Sequence, residues 1–527
     1  MKKPETTRVS ADLPKGQDVL LVISPMLYSL ATGPLMAPAL LKSFLARANK
    51  KAHCVDLNLE LWHYLERDSS LFSLEPHPMM SDQLYAEFSK QHHIEDFVNY
   101  WAKTFIDAQA KWVGFSVHDK RTERLTKEFC RAIRKTCPEQ KIIVGGSQVQ
   151  YCGAPMFKEG LIDDYLVGEA EEALLALING HPPVLGLTLA KFGEARLDLV
   201  PVSDYSDFPL QSYPNPSPDP RENIMVSKIH GGQLGLEYLF VQGSRSCIWH
   251  CDFCHVRVTK GSFRQRPADE LAGELFAQYQ RHGIKKFVFA DNLLNANLKH
   301  LDQFCDHLIQ LYDRYGVDPF MWEGFFVVRG NSQVDTNYFK KLRAAGCHRL
   351  HFGIESGSPD VRRHMGKRFS NEDLLFTLKQ LKQNNLTCRL MFFVGHPFEE
   401  DPDFDQTLDL IGQLQPYRDT ISHLNIGHTA SVLRNSRLKN TLSNQEVFIE
   451  KDPRFGQTEF YNEFKLWRYQ ENTIELRVKR HAQLRQQVLD LGFNLEDPLQ
   501  DKLPVIEKLI VDCQTDATSL EQAVGHK

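Results

Sequence analysis

At 527 residues the chain is about three times the length of a typical domain, so two or three domains are expected. With 42% hydrophobic and 24% charged residues, no low-complexity tract and no fixed-period repeat, the composition is that of an ordinary globular protein and excludes a fibrous or largely disordered one. A balance of 62 basic against 67 acidic side chains gives no electrostatic reason to expect a nucleic-acid partner. The start, "MKKPETTRVSADLPKGQDVLLVISP", is a poor secretion signal, and no apolar run approaches the ~18 residues of a membrane span. A cytoplasmic protein without membrane or nucleic-acid partners is expected, its eleven cysteines being thiols or metal ligands.

Residues 1–16 read as a flexible N-terminus. From there to 199, short Val- and Ile-rich runs at 18–24, 51–58, 111–117, 141–147 and 163–169 alternate with helical spacing such as "TKEFCRAIRKTC". This alternation predicts an α/β, doubly wound (Rossmann-like) parallel sheet. The segment 60–110 has helical spacing and reads as an insertion in this domain. Small or polar residues end the strands at Ser24-Pro25, Ser116, Gly145-Gly146-Ser147 and Gly168-Glu169. One alone is only a tight turn; four together point to a nucleotide-like or tetrapyrrole-like ligand at the strand ends.

The proline-rich "VPVSDYSDFPLQSYPNPSPDPR" opens a linker over 200–234. A second alternation then runs to 440, with strands expected at 236–242, 285–291, 320–328, 348–356, 387–395 and 421–428. Six strand-helix units suggest a partial (β/α)6 barrel with its active site in the loops after the strands. Residues 441–527 read as a mainly helical region ended at Gly492, its basic residues on a solvated face, followed by a flexible tail.

The first barrel loop contains "VQGSRSCIWHCDFCH", with Cys247, Cys251 and Cys254 spaced C-x3-C-x2-C. A structural zinc site wants four ligands, and the nearest further cysteine is Cys305. A redox pair of Cys251 and Cys254 leaves Cys247 without a role. Iron-sulfur clusters normally take four thiolates, so three leave one iron open to a substrate.

That spacing, with Phe253 before the last cysteine, resembles the signature of the radical S-adenosylmethionine (radical SAM) family. "FADNLL" (289–294), "LRAAGCHRLHFGIESGSPDVRRHMGK" (342–367) and "MFFVGHPFEED" (391–401) resemble its second, fourth and fifth strand regions, in order. The resemblance implies that Cys247, Cys251 and Cys254 ligate a 4Fe-4S cluster whose open iron is chelated by S-adenosylmethionine. Reductive cleavage would then yield a 5'-deoxyadenosyl radical, with an electron donor such as flavodoxin or ferredoxin as partner. Glu355 and Ser356 are candidates for the polar part of S-adenosylmethionine, as are Asp291, Asn292 and Arg329, while Phe253 would pack near the adenine. Glu355 reads equally as a salt-bridge partner, and Arg329 as a helix-cap contact.

A doubly wound domain placed before such a barrel, with "VGFSV", "IVGGS" and "VGEAEEALLAL", resembles the cobalamin-binding subgroup. Leu27–Pro34, Ser116, Val117, His118, Gly145, Gly146, Ser147, Gly168 and Glu169 would line the cobalamin pocket. The D-x-H-x-x-G motif that supplies the lower cobalt ligand in many cobalamin proteins is absent, so that ligand is unassigned. Methylation of an unactivated carbon or phosphorus, on a small-molecule or peptide substrate, is the leading expectation. A cobalamin-independent radical enzyme, a radical cyclase or rearrangement enzyme and a non-catalytic sensor are the alternatives. Methylthio transfer to RNA is disfavoured, because Cys54, Cys130, Cys137 and Cys152 do not sit at strand ends. No catalytic residue is assigned; His396, Glu399 and His428 are candidates for substrate contact at the barrel mouth.

Overall fold

The computed structural model of the protein describes residues 12–27, 33–72, 77–181, 200–215, 234–254, 261–427, 429–433, 436–443 and 467–497, with a few positions between them. The pocket positions 28–32, parts of the linker, His428 and the C-terminal tail therefore lie outside the described residues. The chain divides into two compact units, Met1–Val241 with Gln265–Pro267 and Gly273–Lys286, and Gln242–Arg264 with Ala268–Ala272 and Phe287–Lys527.

The first unit is built on β1 (Val19–Ile23), β2 (Ala52–Asp56), β3 (Trp112–Ser116), β4 (Lys141–Gly145) and β5 (Asp164–Tyr165). They form a parallel sheet in the order β2-β1-β3-β4-β5. Every residue of β1, "VLLVI", is buried, as expected of a central strand covered on both faces. The strand order reverses direction between β1 and β3, and at that point a doubly wound sheet opens a crevice beyond its strand ends. The predicted insertion is helical over Leu57–Tyr64, Asp82–His92 and Ile94–Asp107. In the last of these, Ile94, Phe97, Val98, Trp101 and Phe105 recur at helical spacing and are buried. Phe105 meets Phe115 of β3 edge-on, which ties the insertion to the sheet.

The chain leaving β1 is clamped from this insertion. Asn58 Oδ1 accepts from the amides of Met26 (2.7 Å) and Leu27 (3.2 Å), and Leu27 itself has a left-handed φ of +50°. His77 is 6% exposed; its Nδ1 accepts from Met79 N, which leaves Nε2 to donate to Leu27 O at 3.3 Å. Burial, reinforced by Arg121, pulls its pKa from 6.5 down to about 4. A histidine folded in its neutral form contributes stability that is complete above its unfolded pKa and is lost as pH falls from about 6.5 towards 4. We expect the loss to reach about 3 kcal/mol over that window. Denaturant melts at pH 7 and 4.5 test this: His77→Gln should show a clearly smaller acid destabilisation than the parent, whereas equal pH slopes would refute the assignment.

The second sheet has seven strands in the order β16-β13-β12-β11-β10-β9-β6. They are β6 (Tyr238–Val241), β9 (Lys286–Phe289), β10 (Met321–Phe326), β11 (Cys347–Glu355), β12 (Thr387–Phe392), β13 (Ile421–Asn425) and β16 (Leu495–Glu496). All six predicted strands are present, and the sequential order is that of a partial barrel. The seventh, β16, comes from the C-terminal region that the sequence marks as helical; it runs parallel to β13, and Arg389 Nε holds Glu496 at 2.7 Å. Between β6 and β9, β7 (Ser244–Arg245) pairs with β8 (Arg264–Gln265), closing the base of the loop that carries the three cysteines.

Two further expectations for the C-terminal region need correction. Trp467–Arg468 (β15) pairs with Phe448–Ile449 (β14) instead of continuing a helix. The helix Ile474–Asp490 does precede Gly492, but its Arg477, Arg480 and His481 are buried, not a solvated face. Arg477 stacks on Trp467 at 3.9 Å and donates to Trp467 O, while Arg480 pairs with Glu399 at 3.0 Å. No helix among the described residues is long and apolar enough to cross a membrane.

Candidate functional site

The cysteine loop starts under strain. Ser246, fully buried, adopts φ +68°, a conformation an L-residue avoids unless its surroundings impose it. They do: Ser246 Oγ donates to Gly261 O at 2.7 Å, and Asn292 Nδ2 donates to Ser246 O at 3.3 Å. Asp291 accepts from Gly243 N at 2.9 Å and from Ser244 Oγ, so both its oxygens are used in fixing the entry to the loop. Asp291 and Asn292 thus stand at the strand end where the sequence puts them, but turned to hold the loop backbone.

Past Ser246, Cys247, Cys251 and Cys254 are all half-buried and stand in no disulfide among the described residues. Trp249 N points at Cys247 Sγ (3.4 Å), and Cys254 N closes a turn onto Cys251 O (3.1 Å). Burial pushes the Cys251 thiol up to about 11, with Lys367 working against it and Glu355 and the other two thiols adding to it. Between the cysteines, Asp252 ties the loop to three other segments. Its amide donates to Met365 O (3.0 Å), its carbonyl accepts from Leu438 N (2.8 Å), and Oδ2 faces His396 Nε2 at 3.1 Å. His396 is completely buried, so it braces the cysteine loop instead of facing open space. Glu399 is equally enclosed: it accepts from Gly395 N and pairs with Arg480, and burial raises its pKa to about 7. Neither residue is placed for the substrate contact that the sequence suggested.

Glu355 closes β11 after a register shift at Gly353, with a left-handed φ of +71°. Its carboxylate lies 2.9 Å from Lys367 Nζ, the salt-bridge reading of this residue, yet its side chain keeps 15% exposure. Gly353 makes room for the pair: a Cβ there would stand 2.4 Å from Glu355 Oε1. Ser356, by contrast, is fully buried, and its hydroxyl accepts from Ser358 N and meets Thr407 Oγ1. Arg329 donates to Asn295 O at 2.8 Å, so it caps the short helix Leu294–Ala296. Phe253 meets Phe393 edge-on at 5.3 Å and packs against the cluster of Ala430, Val432, Leu438, Leu442 and Trp467. Lys367, Asp252 and the bracing role of His396 were not legible in the sequence.

The donor set, three cysteine thiols on one loop, is of the chemical kind that holds an iron-sulfur cluster. Among the described residues no three His, Cys, Asp or Glu side chains converge closely enough to hold one metal ion. A cube asks for something different, one thiolate on each of three separate irons.

In the first unit, the loops after β3 and β4 lock together at the strand ends. Val117 N donates to Gly145 O (2.7 Å), Gln148 N to Val117 O (3.1 Å), and Ser147 Oγ to His118 O. Gly146, at φ +106°, allows this approach, since a Cβ would lie 2.5 Å from Val117 O. A Cβ on Gly145 would meet nothing within 4 Å. Ser116 is half-buried, His118, Gly146, Ser147 and Gly168 are exposed, and Glu169 is half-buried, so this end of the sheet is an open, glycine-surfaced floor. Such a floor fits a large flat ligand lying on backbone.

Comparison with known proteins agrees with this geometry. Residues 241–411 match the model of the radical SAM superfamily. An uncharacterised methyltransferase of Pyrococcus horikoshii is 25% identical over 52% of this chain and 58% of its own. A tRNA-2-methylthio-N(6)-dimethylallyladenosine synthase of Natranaerobius thermophilus is 23% identical over 53% of this chain and 57% of its own. The chain thus spans somewhat over half the length of these curated relatives. Among solved structures, the radical S-adenosylmethionine methyltransferase TsrM of Kitasatospora setae, with tryptophan substrate and a SAM analogue bound, superposes with a TM-score of 0.58 at 13% identity, over 90% of this chain and 89% of that one. The cobalamin-dependent radical enzyme OxsB, with aqua-cobalamin and S-adenosylmethionine bound, gives 0.61 at 13% identity over 89% and 66%. At such identities the likeness is one of fold. Residues 241–411 thus match the radical SAM superfamily model, and the fold of the chain is like that of TsrM and OxsB.

Proposed function

We propose that this protein is a cobalamin-dependent radical SAM enzyme that methylates an unactivated carbon or phosphorus centre of a small molecule or peptide. The observation that carries the reading is three cysteines at C-x3-C-x2-C spacing on one braced loop after β6, in a chain whose first sheet ends in an open floor of backbone. In this reading Cys247, Cys251 and Cys254 hold a 4Fe-4S cluster, and the loops at Ser116–His118, Gly145–Ser147 and Gly168–Glu169 hold cobalamin. When bound, the cluster supplies one electron to S-adenosylmethionine and cobalamin supplies a transferable methyl group.

The chain's own part is binding, orientation and exclusion of water. Glu355, held in a left-handed conformation at a strand end, presents a carboxylate to the ammonium of S-adenosylmethionine. Phe253 and Phe393 give the cluster loop an apolar wall, which keeps water away and strengthens that charge contact. Asp291, Asn292 and His396 act on the loop and not on the ligands. An electron donor such as flavodoxin or ferredoxin would deliver the electron, and the cytoplasm, where thiols stay reduced, would suit a chain whose described cysteines form no disulfide.

Methylthio transfer, the activity named for several relatives, calls for a second cluster in the first domain. Cys54, Cys130 and Cys152 are instead buried in its core, and Cys137 follows the C-terminus of a helix. Anaerobic reconstitution with added cobalamin, followed by mass spectrometry of the adenosyl products, tests the proposal. S-adenosylhomocysteine formed together with 5'-deoxyadenosine is expected; 5'-deoxyadenosine alone would point to a rearrangement or cyclisation, and intact S-adenosylmethionine to a sensor.

A further inference from the structure

Lys367 is a charge that the cysteine pattern does not call for. It follows the helix Pro359–Met365, where Gly366 turns the chain with φ +87°, and its side chain is only 13% exposed. Burying an ammonium is costly unless it is paired and hydrogen-bonded, and this one is both. Nζ lies 2.9 Å from Glu355 Oε1 and donates to Gly353 O at 2.5 Å. Gly353 is needed on both counts, since a Cβ there would stand 2.4 Å from Glu355 Oε1 and 3.0 Å from Nζ.

The same turn is pressed onto the cysteine loop. A Cβ on Gly366 would lie 3.3 Å from His250 O and 3.8 Å from Cys251 Cα, and Met365 O accepts from Asp252 N. Of the neighbouring arginines, Arg362 donates to Ser356 O and Asn371, while Arg437 reaches His250 O and lies with Arg368 beside Ile248, Trp249 and His250 of the cysteine loop. Lys367 is thus a cation paired with the Glu355 carboxylate on a turn that is packed against the backbone of the cysteine loop.

A cluster on three thiolates gains a further negative charge on reduction, and a nearby ammonium stabilises that form more than the oxidised one. We propose that Lys367 is a positioning and charge-compensating residue of the cluster site, which fixes the Glu355 carboxylate at the end of β11 and raises the reduction potential of the cluster held by Cys247, Cys251 and Cys254. This rests on the cluster reading above.

The test is EPR-monitored potentiometry with dithionite and mediators on the full chain, reconstituted without air and free of S-adenosylmethionine. Iron and sulfide are counted in each sample. Lys367→Met should retain a cluster whose midpoint is lower by about 59 mV or more, a tenfold shift of the one-electron equilibrium. Lys367→Arg, which keeps the charge, should stay near the parent. Glu355→Gln, which removes the opposing charge, should lie above the parent. A Lys367→Met cluster of parental potential overturns the proposal. If that variant takes up no iron, Glu355→Gln decides, and an unshifted or lowered midpoint there overturns it. A parent chain that binds no iron or sulfide defeats the cluster reading itself, and this proposal with it.

Discussion

Cys251→Ala, reconstituted without air, is expected to lose the 4Fe-4S cluster and to cleave S-adenosylmethionine no faster than the assay background. Two thiolates cannot hold a cube that the loop offers three for, and Cys251 is the middle cysteine of the loop, its carbonyl accepting from Cys254 N. The fold should survive. Cys251 is half-buried on a loop fastened through Asp252 to Met365, Leu438 and His396, so truncating its side chain should cost about 1 kcal/mol, within the range of ordinary substitutions. The melting temperature of the metal-free variant should therefore match that of the metal-free parent within several degrees. Retention of a full complement of iron and sulfide by the variant would contradict the ligand assignment.

Glu355→Gln carries the second large effect. A charge-assisted hydrogen bond in a partly enclosed site contributes about 1.5–3 kcal/mol, so the affinity of the cluster-loaded protein for S-adenosylmethionine should fall roughly 10- to 150-fold. Calorimetric titration with S-adenosylmethionine under anaerobic conditions measures it, with iron content confirming that the cluster is unchanged. An unaltered affinity would return Glu355 to a purely structural partner of Lys367. The left-handed backbone argues against that outcome, because a simple ion pair does not require a glutamate at φ +71°.

The architecture was legible because parallel sheets write themselves plainly: buried Val- and Ile-rich strands, helices of amphipathic spacing between them, and small residues where strands end. The cysteine loop was legible for a different reason, a spacing that few chemistries require. Side-chain direction was not. Glu355 and Ser356 are adjacent where β11 ends, but the left-handed backbone at Glu355 sends the two side chains into different surroundings. One carboxylate keeps access to its surroundings while the next hydroxyl packs against Thr407.

Asp291 shows the same limit. Its position at the end of β9 is as expected, and only the fold shows that it is turned onto Gly243 and Ser244. The bracing pair of Asp252 and His396 joins residues 144 apart in sequence, and the turn at Gly366 that precedes Lys367 packs on the backbone of His250 and Cys251. Such proximities carry no local pattern. The buried Arg477 and Arg480 misled for a related reason: basic residues on a helix normally mark solvent, but here Trp467, Glu399 and backbone carbonyls enclose them.

The central claim is that Cys247, Cys251 and Cys254 leave one iron of a cube open to S-adenosylmethionine. Its most direct measurement is EPR of the dithionite-reduced, reconstituted chain before and after addition of S-adenosylmethionine, with metal and sulfide analysis of the same sample. The account predicts about four irons and four sulfides per chain and a spectrum that changes when S-adenosylmethionine coordinates the open iron. Zinc at the three thiols, or a cluster signal indifferent to S-adenosylmethionine, would contradict it.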